Sequence, residues 1–293
     1  MTAIAQPAVI RPSAPMTKGH LVLKDITKRF GNSPVAALQD VSLAIRPGEF
    51  VVVVGPSGCG KTTLLNVAAG MVAPDQGTVD LDGSSVRGPG PQRAMVFQDH
   101  GLFPWLTAAQ NVGFGLKMAG IPKSEREDRV VTALKMVHLQ SSAKKLVHEL
   151  SGGMRQRISI ARALVMDPAV LLMDEPFASV DAQTRLLLQQ QLQEVWCQTH
   201  KTVLFVTHSP GEAARLADRI VVLHALPGRI RAQFRADLPH PRKVDGPAMS
   251  ELIRRVRKEI EDEVNRVNGE KGDWQPPASA DLDGAAGGMG DGI

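Results

Sequence analysis

The chain has 293 residues, 43% of them hydrophobic, with 34 Lys and Arg against 30 Asp and Glu for a formal net charge of +4. That balance and an aromatic content of 4% exclude the basic, aromatic-interleaved surface of a nucleic-acid binder, and no apolar run approaches the ~20 residues of a membrane span. Cys59 and Cys197 have neither disulfide-framework nor metal-ligand spacing, so both are expected as free thiols in a reducing, cytoplasmic compartment.

In chain order, Pro7, Pro12 and Pro15 break the start before any signal-like block develops, and residues 1–18 read as a disordered tail. HLVLKDITKRF and VSLAIRPGEFVVVVG then predict β-strands, the last two hinged at Arg46-Pro47-Gly48. Val51 to Val54 is the unbroken β-branched run expected of a strand buried on both faces. KTTLLNVAAG predicts a helix stopped by Gly70, and AMVFQ a strand ending on Gln98. From about Asp99 to Ala163 helical signals recur without strands: Val130, Leu134 and Val137 in one helix, then Met154, Ile158, Ala161 and Val165 in another that ends before Pro168. AVLLMDE and TVLFVTH predict short buried strands, separated by a helix through Leu188, Leu192 and Val195.

This alternation argues for an α/β domain over 19–238, a mostly parallel sheet flanked by helices with a helical insertion near 99–163. Past Pro239 and Pro241, Leu252, Val256, Ile260, Val264 and Val267 form one stripe of a C-terminal helix within 239–268. That helix either docks on its own domain or serves a dimer or regulatory contact. Residues 269–293, rich in Gly, Ala and Asp, read as a second disordered tail.

The run Gly55-Pro56-Ser57-Gly58-Cys59-Gly60-Lys61-Thr62-Thr63 fits the phosphate-loop pattern and sits after a buried strand and before a helix. Its glycines let backbone N–H groups turn inward, and a helix start favours anions. Lys61 is expected to reach the β and γ phosphates and Thr62 to ligate Mg²⁺. Asp174 at a strand end can hold that metal through its water shell, and Glu175 can polarise an attacking water. Cys59 lies two residues from Lys61, whose field would lower its thiol pKa; the alternative is a small residue tucked against the loop.

A generic phosphate-loop enzyme would not need Gln98, the Ser151-Gly152-Gly153 helix start inside LSGGMRQR, Asp181 after PFASV, or His208 at the end of TVLFVTH. Singly, each is as readily a hydrogen-bonded bystander. Together and in this order, they make the chain resemble the ATP-binding subunits of ABC transporters over roughly Leu21 to Ile230. What the resemblance implies is a P-loop NTPase with an N-terminal antiparallel β subdomain and a helical subdomain, acting as a head-to-tail homodimer. ATP would be sandwiched between Gly55–Thr63 of one chain and Ser151, Gly152 and Gly153 of the other. Gln98 would join Thr62 and Asp174 at Mg²⁺, Glu175 would activate water, His208 would contact the γ-phosphate, Asp181 of the D-loop would help bind the nucleotide, and Phe30 would stack on adenine where tyrosine is common.

VFQDHGLFPWLTAAQNVGFGL, LLMDEPFASVDAQTR and LPGRI narrow the resemblance to bacterial nitrate, aliphatic sulfonate and taurine importers. Implied partners are integral membrane permease subunits at the cytoplasmic face of the membrane and, indirectly, a solute-binding protein. Phe103 to Leu106 would then line the groove that receives a permease, or else pack within the helical insertion. Ser179-Val180 beside Asp181, and Ser209 where Asp is common, depart from the usual pattern. An ATPase for another solute, a soluble ABC protein and a different phosphate-loop enzyme are the other readings.

Overall fold

The computed structural model describes residues 18–242 and 246–270. The expected tails at 1–18 and 269–293 lie outside the described residues except at their inner ends.

Among the described residues, ten strands and seven α-helices follow in the order β1 (Leu21–Lys28), β2 (Leu38–Ile45), β3 (Phe50–Val54), α1 (Lys61–Ala69), β4 (Gln76–Leu81), β5 (Ser84–Ser85), β6 (Arg93–Val96), α2 (Ala108–Met118), α3 (Lys123–Met136), α4 (Gly152–Leu164), β7 (Val170–Asp174), α5 (Ala182–Thr199), β8 (Thr202–Thr207), α6 (Pro210–Leu216), β9 (Arg219–His224), β10 (Arg229–Arg235) and α7 (Pro247–Glu270). They build a six-stranded sheet, β10-β9-β3-β8-β7-β6, and a four-stranded antiparallel sheet, β2-β1-β4-β5. The larger sheet is parallel except for β10, which runs against β9.

β3 shows why this sequence chooses this fold. All five of its residues are fully buried, and because side chains alternate along a strand, they feed two cores. Phe50, Val52 and Val54 point into the core shared with α4, α5 and α6. Val51 and Val53 point into the core shared with α1 and the antiparallel sheet. Each buried valine contributes roughly 1.5–3 kcal/mol relative to exposure, which neither face could supply if left to solvent.

The parallel register also aligns strand ends. Val54 pairs with Thr207, Asp174 with Val206, and Val96 with Met173. Gly55, Gln98, Glu175 and His208 therefore emerge from one edge of the sheet, where open α/β sheets bind ligands.

Three details differ from the sequence reading. β2 and β3 flank Arg46-Pro47-Gly48 but belong to different sheets, so this turn crosses between layers. β6 stops at Val96, leaving Gln98 exposed two residues beyond it. The stripe of α7 is also shorter than expected: Leu252 and Val256 are buried, Ile260 packs at the margin, and Val264 is exposed. The helical period explains this: at about 100° per residue, position 264 lies about 120° from Leu252, while Glu263 lies about 20° from it. Glu263 is the side chain fully buried there, and α7 docks on its own domain against α6 and β9. Val267 falls outside the described side chains.

Arg242 fastens the chain leading to α7. It is buried and donates to the carbonyl oxygens of Leu238, Ala214, Ala217 and Ala236.

Candidate nucleotide site

Between β3 and α1 the chain turns through Gly58 and Gly60, at φ 80° and 93°, a region that suits glycine. A Cβ on Gly60 would stand 2.5 Å from the Ala37 carbonyl oxygen, so no side chain fits. α1 begins without a side-chain cap, which leaves its first N–H groups to an outside acceptor. The Lys61 ammonium lies inside the turn and donates to the carbonyl oxygens of Gly55 and Pro56, each at 2.9 Å.

Cys59 corrects one expectation. It is fully buried with its sulfur beneath Gly55, where a Cβ would stand 2.7 Å away. Burial pushes its thiol up, outweighing the opposing charge of Lys61. The small-residue alternative holds, and the lowered pKa does not.

Thr62 Oγ1 donates to Asp174 Oδ1 at 3.2 Å, joining the start of α1 to the end of β7. Burial raises the Asp174 carboxyl above its ordinary value; the Thr62 hydroxyl opposes this, and the charge of Glu175 adds to it. Glu175 takes φ 39°, unusual for a side-chain-bearing residue, while its N–H donates to Val206 of β8 at 3.0 Å. This kink turns its carboxylate to His208, with Oε2 and Nδ1 2.8 Å apart.

A buried group that the sequence reading missed holds the His208 loop. Glu212 accepts from Thr207 Oγ1 at 2.6 Å and from Gln189 Nε2 at 3.1 Å. Ser209 caps α6 by accepting the Glu212 N–H, which explains how serine replaces aspartate here, since both are good caps. The Ser-x-x-Glu spacing of a capping box was the available signal.

Ser151 caps α4, accepting the Met154 N–H at 3.3 Å. The two following glycines differ. A Cβ on Gly152 would meet nothing nearer than Val180 at 4.0 Å, whereas one on Gly153 would lie 2.8 Å from Thr184 Cγ2. Asp181 caps α5 through the Thr184 N–H, and bonds from Thr184 hold its carboxyl below the usual range. Gly153 and Asp181 thus meet at Thr184. No hydrogen bond among the described residues joins Ser151, Gly152 or Gly153 to Lys61, Asp174 or Glu175.

The segment after Gln98 is fastened to α4. His100 Nδ1 and Gln156 Oε1 are 2.5 Å apart, and Arg162 donates to the carbonyl oxygens of His100 and Gly101 at 2.8 and 2.6 Å. Further on, the fully buried Asn111 accepts the Phe103 N–H and donates to the carbonyls of Phe103, Leu106 and Thr107. That holds a loop from which Trp105 projects, 71% exposed. Phe30 is half-exposed, with Lys28 Nζ 5.6 Å from its ring centre.

A glycine-lined phosphate loop at a parallel strand end, facing an Asp–Glu pair and a histidine on adjoining strands, defines a P-loop nucleotide-binding cassette. Residues 38–178 match the family described as ABC transporter. An uncharacterised ABC transporter ATP-binding protein of Methanocaldococcus jannaschii is 47% identical over 249 residues, covering 84% of this chain and 93% of that protein. A taurine import ATP-binding protein of Jannaschia sp. is 46% identical over 218 residues, 73% of this chain and 81% of its own. The chain belongs to the ATP-binding proteins of the ABC transporter family, and it is an ATPase. Its fold is that of the solved dimeric ATP-binding cassette in a post-hydrolysis state bound to ADP and Pi, which is 32% identical with a TM-score of 0.64, over 74% of this chain and 99% of that one.

Proposed function

We propose that the chain is the ATP-hydrolysing subunit of a bacterial ABC importer for a small anionic solute of the nitrate, sulfonate or taurine kind. It works as a homodimer at the cytoplasmic face of the membrane, beneath a separate permease served by a solute-binding protein. One observation carries the dimer: the chain holds two anion-seeking elements, the Gly55–Thr63 loop and the capped start of α4, with no bond between them. Each then completes a site on a second copy, as the dimeric state of the solved cassette supports. The named activity of the taurine import relative supports the solute class.

In this reading Lys61 and the loop N–H groups bind the phosphates, and Ser151 and Gly153 act from the opposite chain. Glu175, held by His208, orients and deprotonates water, and His208 also meets the γ-phosphate. The donor set suits Mg²⁺, which takes one or two carboxylates alongside phosphate and water oxygens. The Thr62 hydroxyl and Asp174 carboxylate already adjoin, a cation would offset the buried charge of Asp174, and Gln98 offers a third oxygen. Bound there, Mg²⁺ would neutralise charge on the β and γ phosphates. Phe30 offers its ring to adenine.

For the permease, the supporting feature is a groove of about 620 Å³ beside Trp105, lined also by Leu106, Phe114, Val130 and Val131 and by Lys117 and Arg126. Among the described residues no helix is long and apolar enough to cross a membrane.

Complementation tests the reading. Two chains carry Glu175→Gln so that ATP is trapped; one adds Lys61→Ala and the other Ser151→Arg. Each homodimer has two damaged sites, but the heterodimer regains one and should trap about one ATP. A verified heterodimer that traps no more than its parents removes the head-to-tail arrangement.

A further inference from the structure

α7 carries a fully buried carboxylate, Glu263, that ATP hydrolysis does not use. It accepts the Ala225 N–H at 2.8 Å, Arg231 at 3.2 Å and Arg266 at 2.6 Å, and His224 Nε2 stands 3.3 Å away. Burial raises its carboxyl, yet Arg266, the Ala225 N–H and His224 hold it below its ordinary value. Apolar contacts through Leu252 and Val256 already dock the helix. A buried charge with this many partners adds little to docking strength and much to geometry. Its partners Ala225, His224 and Arg231 all belong to the β9–β10 hairpin.

The other side of that hairpin is the backing of the phosphate loop. A Cβ on Gly228 would stand 2.5 Å from the Cys59 carbonyl oxygen and 2.6 Å from that of Ala37, and one on Gly55 would stand 2.9 Å from the Leu223 carbonyl oxygen. The Gly228 carbonyl also accepts the Gln39 N–H at 2.9 Å. Backbone approaches backbone closely here, beside the buried Cys59 sulfur and the Leu38 side chain, and leaves little room to absorb a displacement.

We propose that Glu263 is a positioning residue for ATP binding: from α7 it fixes the hairpin that sets the conformation of the phosphate loop. A loop held in its binding shape loses less freedom when the phosphates arrive, so affinity rises with the stiffness of the backing. Coupling is reciprocal, and ATP in the loop tightens the seat of α7 by the same factor. A partner that grips α7 would thereby tune ATP affinity from outside the site. The inference rests on ATP occupying Gly55–Thr63, as proposed above.

The test uses the full chain with a fluorescent ATP analogue. Glu263→Gln keeps an acceptor for Ala225 while withdrawing charge from Arg231 and Arg266, and Arg231→Met removes one donor from the hairpin side. Both should weaken analogue binding roughly 5-fold or more. In the wild type, ATP should slow amide exchange in 219–235 and in 247–266, and the slowing in 247–266 should shrink in both variants. A helix that only stabilises the fold predicts a lower unfolding midpoint with affinity within about twofold of wild type, and that result overturns the proposal. Should Glu263→Gln fail to fold, Arg231→Met and the wild-type exchange decide: no ATP-dependent slowing in 247–266 also overturns it. Lys61→Ala separates the two claims: binding undiminished in that variant would sink the seat of ATP and the proposal with it, whereas binding lost there but within about twofold of wild type in Glu263→Gln would sink the role of Glu263 alone.

Discussion

The adjacent glycines of α4 offer a separation of folding from function. Gly152→Ala places a methyl group in open space, 4.0 Å from its nearest neighbour, and replaces the weakest ordinary helix former with the strongest. In a helix interior that exchange is worth about 1 kcal/mol, and in the first turn roughly half as much, so the variant should be more stable than wild type. Gly153→Ala has the same propensity gain, but its Cβ would sit 2.8 Å from Thr184 Cγ2. Thr184 is branched and its N–H is held by Asp181, so the contact cannot relax cheaply. Overpacking of this sort costs about 1–3 kcal/mol, which leaves a net loss of roughly 0.5–2.5. Thr184→Ser removes the offending methyl and should recover most of that loss in the double variant. Urea unfolding of the four proteins measures these signs. ATP-driven dimerisation on a Glu175→Gln background then measures function, where Gly152→Ala should fail despite its stability, because its methyl occupies the approach to a partner's phosphate. If Gly152→Ala destabilises as much as Gly153→Ala, the Thr184 contact is not what distinguishes them; if it dimerises normally, the open face of Gly152 does not meet a nucleotide.

Glu175→Gln should lower steady-state hydrolysis about 10²-fold or more while ATP binding persists, and near wild-type turnover would refute its role as base. Maleimide should leave Cys59 unlabelled in the native protein and modify it after unfolding, as mass spectrometry of the Cys59 peptide would report; native labelling contradicts its burial beneath Gly55. Arg242→Met strands the carbonyls of Ala214, Ala217, Ala236 and Leu238 and should cost about 3 kcal/mol, a fall in midpoint of about 10 °C in thermal unfolding. Trp105→Ala should abolish co-purification with a permease while the midpoint stays put, since the indole is largely in solvent; retained association with the groove variant rules that docking site out.

The elements most legible in the sequence were those whose signals are local. The valine run of β3 announces a strand covered on both sides, and the glycine spacing before Lys61 needs only its own backbone to be understood. β10 was missed although Ile230, Ala232 and Phe234 alternate with Arg229, Arg231, Gln233 and Arg235, because edge strands carry charge on their open face. Sheet membership was illegible for β2 and β3, since nothing within either strand names its distant partner. The same holds within the candidate site. Glu175 reaches His208 only because β7 and β8 are neighbours in register, and Cys59 is shut in by Gly55 rather than opened by Lys61. Glu263 went unnoticed because periodicity registers hydrophobic residues and passes over a carboxylate buried among them.

The three hydrogen bonds that tie His100 and Gly101 to Gln156 and Arg162 of α4 leave this segment little slack. At one end of the bound segment stands Gln98; at the other stands Trp105, on the outer surface; and the segment is held to α4, whose first turn, in the proposed arrangement, would serve the nucleotide of the opposite chain. In the head-to-tail arrangement proposed above, a load applied to the indole would reach both nucleotides together, and a phosphate lost from either would be felt at the indole. Such a linkage would transmit direction without telling which of the two nucleotides moved it, so in that arrangement the surface around Trp105 would read the two sites together.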